Sequence, residues 1–527
     1  HNQYNPTNRI LMILHKRIVI TGFTAICIFC SCQPKSMPEN PNIIIIMADD
    51  LGYGDVGAYG AKKENVKTPN IDKLAEGGLK FTSGYCSAST CTPTRYSFLT
   101  GSYAFRESNT GIAPPNAPAI IKPGTETIAS LLKKAGYKTA VIGKWHLGLG
   151  GPEGPDWNGD LKPGPREIGF DFNFLLPTTN DRVPQVYVQN HRVKNLDPSD
   201  PLWVGHEKPS EKHPTGITHR NTLRMNWNDG HNNTIHNGIG RIGFYTGGHM
   251  ARFRDEDLAD EWQRQANKWI EENKDNPFFL FFSSHDIHVP RMPHERFQGK
   301  SGMSYRGDAI VQLDWNVGEI MKTLDRLNLK KNTLVIFVSD NGPVLDDGYD
   351  DFANEQLGDH KPAGPYSGGK YTVREGGTRI PFITYWENII QPGISKEMVS
   401  TIDLPASMAA LTGIDLPNDG VLDSFNVLDA LLGKRGAKGR QYIVSQDNGR
   451  KGNYGLRDGN WKLQRHDAKR MYNGDLSMDS WTVPQYTLFN LDKDIAEAND
   501  VSKDYPQITE RLKDQLQSII DRGKTRF

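Results

Sequence analysis

The sequence predicts an α/β fold: a large, mostly parallel β-sheet sandwiched by helices, with a smaller C-terminal α+β subdomain. Two observations carry this. Asn42–Met47 (NIIIIM), Lys138–Ile142 (KTAVI), Phe278–Phe282 (FFLFF) and Leu334–Val338 (LVIFV) are short apolar runs without alternation. Strands of a parallel sheet read this way when both faces are covered. Helical patterns lie between the runs, and strand–helix alternation favours a parallel sheet. Ile71–Gly77 follows Thr68-Pro69, a helix start. Thr127–Ala135 is apolar at helical spacing and stops at Gly136, a C-cap residue. Leu258–Asn273 and Arg306–Leu327 are longer amphipathic helices. Residues 150–250 and the stretch Val344–Tyr366 break the rhythm with Gly, Pro, Asn and His, and long loops of this kind are usually functional. After about Gln441 short β pieces appear (Tyr442–Val444, Trp461–Leu463, Tyr486–Leu491), and a last helix begins near Pro506. The expected organisation is 1–37 as a leader and linker, 38–440 as a catalytic domain and 441–527 as the subdomain.

Composition narrows the function classes. The 527 residues carry 62 Lys+Arg against 62 Asp+Glu, so no basic footprint for nucleic acid is expected. At about 150 residues per domain, two to four domains fit. Multi-pass membrane proteins, coiled coils and collagen-like fibres are excluded. Lys16 and Arg17 precede an apolar run, Ile18–Phe29, short for a span but suited to a secretory signal. The cluster Cys27, Cys30 and Cys32 at its end resembles a bacterial lipoprotein signal, with Cys32 lipidated. The expectation is an exported protein, periplasmic or associated with the outer membrane, touching a membrane only through that anchor. Cys86 and Cys91 remain beyond the leader, and an oxidising compartment would allow them to pair.

The four apolar runs lead into polar clusters: Asp49-Asp50, Lys144-Trp145-His146, His285-Asp286-Ile287-His288 and Asp340-Asn341. Ligands of open parallel sheets bind outside the carboxyl ends of the strands. Asp49, Asp50, Asp340 and Asn341 are all oxygen donors, a set that suits a hard divalent cation, Ca²⁺ or Mg²⁺. Either pair alone would also serve as an Asx turn or a helix cap.

The segment Cys91-Thr92-Pro93-Thr94-Arg95, continuing to Thr100-Gly101, resembles the signature of the type I sulfatases of the alkaline phosphatase superfamily. The likeness runs from about Pro41 to Gly413. It extends more loosely to Leu488–Asp494 (LFNLDKD). The resemblance implies an alkaline-phosphatase-like fold and a sulfatase in which a maturation enzyme converts Cys91 to formylglycine. Hydrated, that aldehyde carries two hydroxyls: one attacks sulfur, and loss of the other's proton expels sulfate as the carbonyl re-forms. A serine or unmodified cysteine lacks this exit. By the same resemblance, Arg95 holds the diol and its neighbours, and Lys144 and Lys370 pair with sulfate oxygens. His146 holds the diol and accepts a proton, and His288 protonates the leaving oxygen. His288 is preferred to His285 because Pro290 completes a His-x-Pro arrangement. The pH dependence is expected to follow His146 and His288.

The expected substrate is a sulfated glycan or oligosaccharide, of the galactose or N-acetylgalactosamine type. Thr178–Arg182, His219–Asn221, His231, His236 and Arg241 are candidate sugar contacts, and Tyr366 and Trp203 candidate stacking platforms, although each taken singly fits a loop-stabilising role better, since polar loop residues commonly bond their own backbone. Two alternatives remain at this level: a phosphodiester or phosphonate monoester hydrolase on the same fold, whose members usually add metal-binding histidines, and an inactive module that binds sulfated glycans.

Overall fold

The computed structural model describes residues 37–448, 453–467, 472–473, 478–479 and 484–526. The leader, with Cys27, Cys30 and Cys32, lies outside the described residues. Pro38–Phe527 forms one compact unit. Among the described residues no helix is long and apolar enough to cross a membrane.

A ten-stranded sheet organises the unit. In chain order its strands are β1 (Asn42–Ala48), β2 (Leu79–Tyr85), β3 (Lys138–Lys144), β4 (Phe172–Leu176), β5 (Val188–Gln189), β6 (Arg192–Val193), β7 (Phe278–Ser283), β8 (Thr333–Ser339), β9 (Phe382–Tyr385) and β10 (Gly393–Ser400). They lie in the order β10-β2-β9-β8-β1-β7-β3-β4-β5-β6. The central strands β8, β1, β7, β3 and β4 run parallel, while β9 is antiparallel to both its neighbours. The four apolar runs read from sequence are β1, β3, β7 and β8, each one or two residues longer than its apolar stretch.

Alternation along β1 shows why its sequence is apolar throughout. Ile43, Ile45 and Met47 face one core, and Ile44, Ile46 and Ala48 face the other. The first core is closed by α2 (Cys91–Thr100), α3 (Ile128–Lys134) and α6 (Leu404–Thr412) through Phe98, Leu132 and Met408. The second is closed by α1 (Pro69–Gly77), α4 (Leu258–Asn273) and α5 (Ser304–Arg326) through Leu74, Trp262 and Leu313. Every residue of α2 is buried, so it has no polar face to advertise it as a helix. It stops at Gly101, whose left-handed φ of +63° and N–H bonded to the Ser97 carbonyl make an ordinary glycine cap.

A second, four-stranded antiparallel sheet is formed by β11 (Tyr442–Gln446), β12 (Tyr454–Asp458), β13 (Trp461–Arg465) and β14 (Tyr486–Asn490). Helix α7 (Pro506–Asp521) packs Leu512, Leu516 and Ile519 onto it, and Tyr103 and Phe105 join the same core.

One buried ion pair braces the turn after β1. Arg306 on α5 donates to both carboxylate oxygens of Asp55, at 2.8 and 2.6 Å, and His360 meets Asp55 at 2.8 Å. Burial pushes the Asp55 carboxyl up, but Arg306 and His360 overcome it and bring its pKa to about 2. Asp55→Ala leaves the guanidinium buried without its carboxylate, so it is expected to cost about 3–5 kcal/mol in urea unfolding. Because the folded value lies below the unfolded one of about 3.9, this contribution is full above that pH. It fades as the pH falls through about 2. A loss that stays constant down to pH about 2 would count against the ion pair as its source.

Candidate active site

The parallel order β8-β1-β7-β3 sets four polar strand ends side by side at the carboxyl edge of the sheet. Asp50 follows β1 with φ +60°, an uncommon value for a residue with a side chain. Its N–H donates to Asp340 at 3.2 Å, its Oδ1 accepts from Asn341 at 2.8 Å, and its Oδ2 accepts from Lys370 at 2.9 Å. Asp49 accepts from Lys144 at 2.5 Å. At the end of β3, Gly143 has φ +112°, and a Cβ there would fall 1.8 Å from the Ser283 carbonyl oxygen. Only glycine lets β3 and β7 approach so closely just before Lys144.

Cys91 opens α2 and is 2% exposed. Its Sγ lies 3.2 Å from His146 Nδ1, while His146 Nε2 lies 3.0 Å from the Ala113 carbonyl. A carbonyl only accepts, so Nε2 carries the hydrogen and Nδ1 turns a lone pair toward position 91. His146 holds this pose with φ +53°. Arg95, one turn along α2, donates twice to Asp340 Oδ2, at 3.0 and 2.9 Å, and also to the Lys144 carbonyl and the Ser283 hydroxyl. It ties β8, β3 and β7 together behind Cys91. His288 donates from Nδ1 to the Val289 carbonyl at 2.7 Å, and its Nε2 is 3.9 Å from Asp50. His285 instead accepts from the Trp262 indole at 3.1 Å, the environment of a core histidine. Cys86 and Cys91 are both free thiols.

The site is buried and crowded with charge. Burial, with Asp340 alongside and Lys144 opposing, holds the Asp49 carboxyl well above the usual carboxylate range. Burial also works against the Asp50 charge, yet Lys370 and Lys144 pull its pKa below the usual value. Burial and the Lys144 ammonium push His146 well down, and burial with Lys370 and Lys144 does the same to His288. Burial raises the Cys91 thiol against the pull of both lysines.

These residues fit a divalent cation. Asp49, Asp50 and His288 present donor atoms within 4.8 Å of one another. Asp49 Oδ1 and Asn341 Oδ1 are buried acceptors without a hydrogen-bond donor, and a buried acceptor left so is costly. A cation between them would satisfy both. The sequence placed Asp49, Asp50, Asp340 and Asn341 together, and the structure does so while adding His288 at the margin.

The loop candidates divide. Asp181 gathers Arg182 at 2.8 Å and His231 at 3.0 Å. Arg241 is fully buried and bonds Asp255 and the Asn180 carbonyl. His236 is buried between Tyr245 and the Phe253 carbonyl. Tyr366 packs edge-on against Tyr53. Arg241 and His236 brace loops and offer no face to a sugar, whereas Tyr366 lines a cavity formed with residues 343–345 and 360–369. Trp203 and His219–Asn221 are exposed. Sequence reasoning missed Asp347, which accepts from Lys370 at 2.8 Å and from the Tyr371 hydroxyl at 2.9 Å. Nothing in an Asp-Asp-Gly loop distinguishes it from a turn.

Residues 41–414 match the protein-family model described as Sulfatase. The chain belongs to the sulfatase family. It is a sulfuric-ester hydrolase. This sulfatase is 46% identical over 505 residues to N-acetylgalactosamine-6-O-sulfatase of Bacteroides thetaiotaomicron, covering 94% of this chain and 98% of the relative. It is 34% identical to human arylsulfatase A, over 80% of this chain and 74% of that one. A solved structure from work on the metabolism of multiple glycosaminoglycans by B. thetaiotaomicron superposes with a TM-score of 0.88 at 46% identity, covering 92% of the sulfatase and 100% of that chain. The phosphonate monoester hydrolase of Agrobacterium radiobacter shares the fold, with a TM-score of 0.56 at 17% identity over 91% of the sulfatase and 95% of that chain.

Proposed function

We propose that this sulfatase hydrolyses an O-sulfate ester on a galactose-type sugar of a glycan, N-acetylgalactosamine 6-sulfate first among them. The observation that carries the chemistry is the convergence on Cys91 of His146, Lys144 and Lys370 beside a cluster of oxygen donors. The sugar rests on the 46% identity across 94% of the chain with a sulfatase of that specificity.

Calcium is the cation of choice for the donor set, with magnesium the other hard ion. When bound it neutralises sulfate charge and favours the ionised nucleophile. The chain's own groups do the rest. Lys144 and Lys370, both buried, bind and orient the sulfate oxygens. His146 takes a proton at Nδ1 from the group at position 91. His288 protonates the leaving sugar oxygen; burial first, and then Lys370 and Lys144, hold its pKa down, and the charge of a bound sulfate opposes the lysines' part of that shift. Arg95 fixes Asp340 and the strand ends. Cys91 acts as formylglycine, supplied by a maturation enzyme. The enzyme works after export, and a lipid on Cys32 would hold it at the envelope. The metal-competent cluster found among the described residues contains one histidine, which favours sulfate chemistry over the phosphonate alternative.

The test is the mass of the tryptic peptide Phe81–Arg95 from natively produced protein, fragmented to separate Cys91 from Cys86. The expected result is replacement of the thiol by the aldehyde at Cys91, with turnover fastest on N-acetylgalactosamine 6-sulfate in a panel of sulfated sugars. An intact Cys91 thiol in active protein overturns the chemistry. Preference for another sugar overturns only the substrate.

A further inference from the structure

The loop that carries Lys370 is closed on itself and held from outside the main sheet. Gly376 donates to the Ser367 carbonyl at 2.8 Å, so the loop's ends meet while Lys370 sits between them. The Lys370 N–H is fixed to the Pro343 carbonyl at 2.9 Å, and the next residue, Tyr371, reaches the Ser89 carbonyl at 2.9 Å. Asp50 and Asp347 hold the Lys370 ammonium itself, and a further set of constraints on the loop comes from the C-terminal subdomain. Glu497, in the loop after β14, accepts the Glu375 N–H at 2.7 Å, the Gln464 amide at 2.7 Å and the Ser367 hydroxyl at 3.4 Å. Its carbonyl accepts Arg374 at 3.0 Å. Lys462 on β13 donates to Glu375 at 2.7 Å, and Arg379 and Tyr85 share the other Glu375 oxygen.

Glu375, Lys462, Gln464 and Glu497 are all at most 2% exposed. Buried ionic groups are weak sources of net stability, so a network this complete asks for another reason. Glu497 keeps a left-handed φ of +54° to make it, and strain of that kind clusters at functional positions. The same sheet also reaches the segment before Cys91. Gln446 exchanges bonds with Ser87 and Ser89, and the Asp447 carbonyl accepts the Thr90 hydroxyl at 2.9 Å.

We infer that Lys462 and Glu497, from the C-terminal subdomain, are positioning residues for sulfate binding: they clasp the Ser367–Gly376 loop and so hold the Lys370 ammonium at the sulfate position. The inference rests on the reading of Lys370 as a sulfate ligand. It makes the C-terminal sheet part of the binding apparatus through its hydrogen bonds to the loop that carries Lys370.

The test is a double-mutant cycle on the full-length enzyme, read as the dissociation constant of inorganic sulfate by calorimetry, with urea unfolding alongside. Lys370→Ala is expected to weaken sulfate about tenfold or more, and Lys462→Met by about tenfold, the size of a contact-range coupling. In the Lys370→Ala background, Lys462→Met should change binding by less than about twofold, because the group it positions is gone. Unchanged binding in Lys370→Ala removes the sulfate role of Lys370, and the clasp with it. A loss in Lys370→Ala with none in Lys462→Met, or two additive losses, overturns the clasp alone. If Lys462→Met does not fold, Glu497→Gln takes its place in the cycle, and the same outcomes support or overturn the clasp. That variant keeps the side-chain shape and the carbonyl bonded to Arg374.

Discussion

Cys91→Ala is expected to reduce turnover by about 10⁵-fold or more, the scale seen when a covalent nucleophile is removed. The binding groups remain: Lys144 and Lys370 keep their partners Asp49 and Asp50, so affinity for inorganic sulfate should change by less than about threefold. Cys91→Ser separates the two roles of the proposed formylglycine hydrate. A serine hydroxyl faces the His146 Nδ1 lone pair and can attack, but its carbon has no second hydroxyl and cannot expel the sulfate. The serine variant should therefore retain sulfate covalently, visible as a mass increase on the peptide containing residue 91, with no steady-state turnover. Multiple turnovers by either variant would remove position 91 from the reaction.

Stripping the divalent cation should be the next most damaging change. Cation catalysis is worth several kcal/mol of charge stabilisation, so chelation is expected to lower kcat by about 10³-fold. Added Ca²⁺ should restore it. Stability falls too, by about 4 kcal/mol if the cation is present at a thousandfold excess over its dissociation constant. The loss should depend on pH. Burial and Asp340 hold the Asp49 carboxyl well above its ordinary value in the cation-free fold. The native state then keeps a proton that the unfolded chain has released, and stability declines as the pH rises from about 4 toward the raised value. The gap between the unfolding midpoints of stripped and calcium-loaded protein should widen over that interval. A midpoint indifferent to chelator and calcium would show that Asp49, Asp50, Asp340 and Asn341 hold no cation.

Much of this was legible in the sequence because burial on both faces writes itself as uninterrupted apolar runs. NIIIIM and LVIFV are visible as strands without any partner in view, and the polar residues after them fall at one sheet edge once the strands are parallel. Strand β10 was not legible: its first half is exposed or half-buried at a sheet edge, and its residues, GISKEMVS, carry no such pattern. Strand β9 is four residues long, too short for a periodic signal. The site was read through short motifs, and what motifs do not contain was missed. Asp347 and Glu497 are single acids in polar loops, and their roles come from Lys370, Lys462 and Glu375 arriving from elsewhere in the chain. Arg241 and His236 proved to be loop braces rather than sugar contacts, a choice the sequence leaves open because a polar residue in a long loop looks solvent-facing until the loop is seen to fold over it.

The strand order has a consequence for time as well as space. The central strand β1 is hydrogen-bonded on one side to residues 279–283 and on the other to residues 333–339. Until those distant segments arrive, the first strand has neither neighbour. Folds dominated by such non-local pairing assemble slowly. Throughout that delay the chain around Cys91 has no closed sheet beneath it, whereas afterwards the residue is 2% exposed. Slow closure thus keeps open an interval in which the proposed maturation enzyme would find the thiol accessible.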